Sequence, residues 1–373
     1  MEEKPIFLSG LNGIRTIAAI GVMISHINLA LPKFNVKNFS LFGFSNDGKT
    51  EGWMLGEHGV TMFFVLSGFL ITYLLLKEYK KTKTINIKAF YIRRALRIWP
   101  LYYFYLLITI LISFFILSNE FLPTSSTFYY SFFLANVPFI NQNALPALDH
   151  FWSIAVEEQF YLFWPFLFLF FNINFKNIII LLILLQALFR IYLWYKFPFS
   201  TIALLSVVNR FDCMMFGGLG ALLYLEKSKF IIFLNRKSIQ YFSWLIIFFL
   251  IINKLNFFNS IIEIFLIGFV TLCIIIGQIN IENRVINLEN NIMSYLGKLS
   301  FGIYVYHPLL ILLTSNFFKN NGYFSEVTFT LIINILILGL TITISHLSFF
   351  YFENRFLKLK PKFSIIHSTN SNV

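Results

Sequence analysis

Apolar residues run through this 373-residue chain in blocks of about twenty, separated by short polar stretches that carry most of the charge. The blocks show no strict alternation of apolar and polar positions, which argues against the strands of a transmembrane barrel. Their length suits a helix that crosses hydrocarbon. Ten such helices are predicted, at 11–31, 59–77, 98–118, 151–171, 177–196, 207–226, 239–253, 260–278, 296–317 and 327–351. The seventh is short for a full crossing, and 128–140 reads as a partial or interfacial segment. The expected fold is all-α: a polytopic membrane bundle of about ten transmembrane helices over 1–352, followed by a short basic tail at 353–373. No tandem repeat of the transporter kind is visible, nor a matched pair of Gly/Pro-broken helices in two halves.

Composition sharpens this. The chain is 58% hydrophobic, 20% aromatic and 12% charged, with a mean hydropathy of +0.73. A soluble domain carries roughly twice that charged fraction, and a disordered chain is far less apolar. The net charge of +12 is a question of placement. With the N-terminus inside, the segments assigned to the cytoplasm hold 20 Lys and Arg, and those outside hold 7. That asymmetry predicts both termini cytoplasmic, as an even number of spans requires, and implies no nucleic-acid partner. Cys213 and Cys273 both lie in apolar segments, against a disulfide scaffold or a cysteine metal site. The first apolar stretch carries Arg15 and His26 and lacks a small-residue cleavage site, so it is expected to remain as the first span rather than act as a signal peptide.

Ionisable groups inside spans are costly in hydrocarbon and mark a pathway or a site. Arg15 and His26 are eleven residues apart, close to three full helical turns, so they share one face about 16 Å apart. A snorkelling Arg and an interfacial His would also account for them. Arg94 and Arg97, one turn apart at the start of the third span, present planar donors suited to phosphate, or simply mark the cytoplasmic side. In the fourth span Glu157 lies roughly 10 Å below the helix start, at the height expected for His26, and shares a face with Tyr161. An ion pair with Arg15 or Arg190 is its structural alternative. His307 sits near the midplane of the ninth span beside Pro308, where it would serve a site or satisfy the kink. Asn209-Arg210-Phe211-Asp212 reads as an interfacial ion-pair element. His26, His307 and Glu157 lack the helical i, i+3 or i, i+4 His spacing of a metal site, so no metal is expected. Walker-type loops, GxGxxG after a strand and GxSxG elbows are also absent from the sequence.

The wording and order of these segments resemble acyltransferase family 3, integral-membrane O-acyltransferases that modify cell-surface carbohydrates. Leu11-Asn12-Gly13-Ile14-Arg15 through Ser25-His26 resembles the family's opening, an Arg and a His separated by ten residues. Gly59 to Phe69, with Ser67 inside it, resembles the second-span motif, and Arg94-x-x-Arg97 with Pro100 the RxxR element. Phe151-Trp152-Ser153 through Glu157-Glu158-Gln159-Phe160-Tyr161 resembles the fourth-span motif, Ser300 to Pro308 the late motif, and Tyr351-Phe352-Glu353 the ending. Two positions depart from the pattern: Asn12 stands where Asp is usual, removing a carboxylate partner for Arg15, and Thr16 stands where Gly is usual. Some members append a soluble esterase-like domain; none is read here, so the chain is expected to work alone or to pass its acyl group to a separate protein.

The resemblance implies a membrane O-acyltransferase that moves an acyl group, by default acetyl, from cytoplasmic acyl-CoA to a hydroxyl of a cell-surface polysaccharide or its lipid-linked precursor. It would lie in the cell membrane, with glycan-synthesis proteins as neighbours and no tightly bound cofactor. On that reading Arg15, Arg94 and Arg97 bind the acetyl-CoA phosphates. His26 acts as base or covalent relay, Glu157 orients it, and Ser67, Tyr161 and His307 line the substrate cavity. The leading competitor is a transporter or flippase of a glycan intermediate; a scaffold and a lipid acyltransferase also fit the span count.

Overall fold

The computed structural model describes residues 6–116, 126–171, 174–251 and 259–366. Lys4, Lys254, the ends of two predicted spans at 117–118 and 252–253, and tail residues 367–373 lie outside them. The described chain is helical, with one isolated bridge between Phe44 and Thr50. Its helices in order are α1 (Leu11–Leu29), α2 (Trp53–Thr82), α3 (Ile87–Ile116), α4 (Ser126–Ser131), α5 (Asn136–Ile140), α6 (Phe151–Phe170), α7 (Phe175–Lys196), α8 (Thr201–Val208), α9 (Phe211–Leu225), α10 (Lys229–Leu234), α11 (Lys237–Ile251), α12 (Asn259–Ile279), α13 (Asn291–Phe317), α14 (Glu326–Ser348) and α15 (Asn354–Leu357). A π-helical turn, Phe349–Glu353, links α14 to α15, and a 3₁₀ turn, Lys360–Phe363, follows.

Each of the ten predicted spans falls on a helix. Among the described residues, six helical stretches are long and apolar enough to cross a membrane: Trp53–Thr82, Ile87–Phe114, Phe175–Lys196, Thr201–Leu225, Asn291–Phe317 and Glu326–Phe363. The remaining four predicted spans are α1 and α6, which carry Arg15 and Glu157–Glu158, and the apolar helices α11 and α12. The segment 128–140 forms the two short helices α4 and α5. Two helices outrun their predicted bounds: α2 and α3 are 30 residues each, because a helix ends where its hydrogen-bond ladder stops, not where its apolar stretch does.

The central element is α2, 72% of whose spanning window is buried, whereas α7 is only 17% buried and turns Leu188, Phe189 and Ile191 outward. An exterior of exposed Leu, Ile and Phe suits lipid, not water. Around α2 pack α9, α1 and α12; α13 lies against α1, and α14 against α13. The α2–α9 contact is close because both helices present glycine there. A Cβ on Gly217 would run into the backbone of Val65 and Phe69, and one on Gly68 into the backbone of Met214. Small residues at such crossings let backbones approach and replace the hydrophobic drive that lipid removes. Gly217→Ala is therefore expected to destabilise the solubilised protein by about 1–3 kcal/mol. Gly339→Ala on the outer face of α14, where a Cβ meets nothing within 4 Å, is expected to be neutral or stabilising. Thermal unfolding of both variants in detergent checks the pair; equal midpoints would mean that the crossing has room to spare.

Candidate active site

Two helices deliver three arginines to one cavity. Arg15 projects from the second turn of α1, and its guanidinium donates to Asn12 Oδ1 at 2.9 Å, so the amide oxygen of Asn12 takes the place of the carboxylate. Thr16, the other departure, donates to the Met293 carbonyl at 2.8 Å and ties α1 to α13. Arg94 and Arg97 lie one turn apart on α3, two turns inside the helix rather than at its start. The Arg94 guanidinium lies over the rings of Tyr161 at 5.5 Å and Phe90 at 5.8 Å, a cation–π arrangement. Its Nε is buried and finds no hydrogen-bond partner among the described residues.

Opposite them, on α6, Glu157 Oε1 accepts from both the Ser67 and the Tyr161 hydroxyl, whose oxygens are 2.5 Å apart. Arg15, Arg94, Arg97, Ser67, Glu157 and Tyr161 all line a cavity of about 140 Å³ with apolar walls from α2, among them Val60, Phe63 and Phe64. Six of the eight residues singled out from the sequence thus meet in one place.

The two histidines meet elsewhere. His26 Nδ1 lies 2.8 Å from His307 Nε2, with ring centroids 4.9 Å apart, and His307 Nδ1 lies 3.1 Å from the Ile303 carbonyl oxygen. A carbonyl only accepts, so neutral His307 carries its proton on Nδ1 and offers a lone pair at Nε2. His26 must then donate from Nδ1, which leaves its own Nε2 as a free base. His307 is fully buried, and His26 only partly. His26 and His307 are not among the residues that line the cavity, whereas Phe63, Ser153 and Tyr304 are. The Tyr304 ring lies 5.9 Å from that of His307 and 6.0 Å from that of Phe63, so it stands between the cavity and the histidine pair.

The expected contact between Glu157 and His26 is therefore absent: His307 takes that place, and Glu157 belongs with the arginines. The depth argument failed because α6 does not start at the surface. His150, just ahead of it, is buried, with Nε2 3.2 Å from the Val305 carbonyl and its ring 5.5 Å from His307. That residue stands near the level of His26, and Glu157, seven residues on, lies roughly 10 Å deeper, toward Arg15. For the same reason His26, His307 and Glu157 do not converge as a ligand set.

The structural alternatives resolve as well. Arg190 pairs with Asp212, not Glu157, through two bonds of 2.8 and 3.0 Å. Arg210 pairs with Glu57 at 2.8 Å, so the Asn209–Asp212 element does make ion pairs, but to other helices. Sequence reasoning places Ser153 and Tyr304 inside the fourth-span and late motifs but gives them no role; their hydroxyls are 2.6 Å apart and both bond the His150 carbonyl. It missed Lys360 in the tail, which is buried and lines the cavity beside Arg94 and Arg97. A lysine in a basic tail carries no distinguishing sequence signal.

A model of acyltransferase family 3, described as an acyltransferase domain, matches residues 8–347. The chain is similar to the O-acetyltransferase OatA of Staphylococcus aureus strain NCTC 8325, with 28% identity over 92% of this chain and 56% of that protein. It is also similar to a protein of strain COL that bears the name O-acetyltransferase, with 24% identity over 95% of this chain and 58% of that one. The chain thus spans a little over half the length of these relatives. No solved structure matches it.

Proposed function

The chain belongs to acyltransferase family 3, and from that premise we propose that it is a membrane-embedded O-acyltransferase. It takes an acyl group, acetyl by default, from acyl-CoA on the cytoplasmic side and delivers it to a hydroxyl of a cell-surface polysaccharide or its lipid-linked precursor. The end of the bundle that holds Arg94 and Arg97 faces the cytoplasm, and both termini lie there. The observation that carries this reading is one cavity, lined by cations from α1 and α3, that Tyr304 separates from the His26–His307 pair, in which His26 keeps a free Nε2.

The chemistry runs from that geometry. Guanidinium groups bind phosphates through paired, charge-assisted bonds, so Arg15, Arg94 and Arg97 hold the donor's nucleotide end. A cavity of about 140 Å³ is in the size range that takes a benzene-sized group, so the nucleotide stays at the mouth and the cavity widens as the pantetheine arm enters. Movement of Tyr304 and Phe63 opens the way to His26. His26 Nε2 takes the proton of the acceptor hydroxyl as its oxygen attacks the thioester carbonyl. The tetrahedral adduct collapses, the C–S bond breaks, and the CoA thiolate leaves with the proton from the imidazolium. His307 keeps His26 in the required tautomer, a positioning task that buried carboxylates perform in hydrolases. Glu157 orients Ser67 and Tyr161 and balances part of the positive charge in the cavity.

The direct test is to supply acyl-labelled acetyl-CoA to the purified protein in vesicles together with an acceptor glycan. Label on the carbohydrate is the expected result; unmodified glycan carried across the bilayer would replace the enzyme with a transporter. Arg94→Ala and Arg97→Ala are each expected to raise the KM for acyl-CoA about tenfold or more, the scale of a lost charge-assisted hydrogen bond. Unchanged donor dependence would leave the pair a purely topological role.

A further inference from the structure

Beyond the family match at residue 347, the chain continues through the π-helical turn and α15 and packs on α3. Phe352 packs on Phe104 of α3 with ring centroids 4.7 Å apart. Buried Glu353 accepts from Ser348 at 2.9 Å, and Ser348 accepts from Tyr306 at 3.0 Å. Further along, Arg93 donates to the Phe363 carbonyl at 2.6 Å while its other terminal nitrogen pairs with Glu78 at 3.1 Å. Arg93 thus latches the tail to α2 and α3. Between these anchors run Leu357-Lys358-Leu359-Lys360-Pro361-Lys362, from the end of α15 into the 3₁₀ turn. Lys358 and Lys362 are exposed, while Lys360 is buried at 9% exposure and faces the cavity.

This is an unusual position for a lysine. The charged groups that act on its ammonium most strongly are Arg97, Arg94, Arg15 and Arg93, all positive. Among the described residues, no carboxylate lies within ion-pair distance of it. Glu157 is the one acidic residue in the cavity wall, against four cations, and its Oε1 is already taken by two hydroxyls. A buried, mutually repelling cluster of this kind costs the fold free energy that a bound anion would offset.

We propose that Lys360 is a fourth phosphate-binding residue of the donor site, carried in by the tail that packs on α3, and that it selects for a donor bearing several phosphates. This rests on the acyl-CoA reading given above. Its ammonium, a compact point charge on a flexible stem, complements the planar guanidinium forks of α3 and binds whichever phosphate oxygens they leave exposed.

The experiment uses the full chain in lipid nanodiscs, with CoA and phosphate-free pantetheine as binding probes. Lys360→Met keeps the apolar stem and removes the charge. It is expected to weaken CoA binding by about tenfold to a hundredfold. Pantetheine binding should be unchanged, and Lys360→Arg should restore most of the affinity for CoA. In the ligand-free protein Lys360→Met should unfold at the same temperature as the parent or higher, because it relieves repulsion. Undiminished CoA binding by Lys360→Met overturns the proposal and leaves the acyl-CoA reading standing. Parallel loss for both probes, or loss of folding, assigns Lys360 to structure and overturns it too. A parent protein that binds no CoA at all sinks the acyl-CoA reading itself.

Discussion

His26→Ala is expected to abolish acyl transfer, with a loss of at least about a thousandfold, while the protein remains folded in the membrane. The expectation follows from the hydrogen-bond chain: the Ile303 carbonyl fixes the proton of His307, His307 fixes that of His26, and Nε2 of His26 is left to act as base. Neither neighbouring imidazole replaces it, because His150 and His307 are buried and each already engages a backbone carbonyl. His307→Ala should fall between parent and His26→Ala, since it removes the acceptor that selects the tautomer and keeps the base. His307→Gln, whose side-chain carbonyl accepts a hydrogen bond, should recover part of the difference. Radiolabel transfer to acceptor glycan, normalised to protein in the membrane fraction, separates these outcomes. Parent-level product from His26→Ala would remove the base assignment outright.

The second large effect concerns stability. Asp212→Asn is expected to destabilise the bundle by about 3–5 kcal/mol, the range for stripping one partner from a buried ion pair. Arg190 on α7 and Asp212 on α9 are 0% and 1% exposed, and the guanidinium Nε also donates to the Ser206 carbonyl at 2.9 Å. Neutralising Asp212 therefore leaves a fixed cation in a region that offers it no water. The exposed pair Lys176–Glu226, at 3.4 Å, joins the same two helices near their other end. Because water screens it, Glu226→Gln should change stability by less than about 1 kcal/mol. Thermal unfolding in detergent compares the two, and equal shifts would contradict the weight given to burial.

Much of this was legible in the linear chain because a bilayer enforces simple rules. A segment that cannot hydrogen-bond to lipid must satisfy its own backbone, so long apolar runs become helices, and all ten predicted ones coincide with helices. A charge placed in such a segment needs a reason, which is why Arg15, Arg94, Arg97 and Glu157 stood out and why they share a cavity. The partnerships were less legible. The contact between His26 and His307 joins residues 281 apart and exists because α1 packs on α13. The displacement of Glu157 toward Arg15 follows from the buried start of α6, which a count of residues from an assumed membrane surface does not register.

The order of helices and the cations committed to one end were therefore fixed by residue chemistry acting locally, through hydropathy and the cost of charge in hydrocarbon. Which base sits beside which acceptor, and that a tail lysine enters the cavity, was decided only by packing. Hydropathy constrains how deep a group lies, whereas its neighbours depend on the rotation and crossing of helices far apart in the chain.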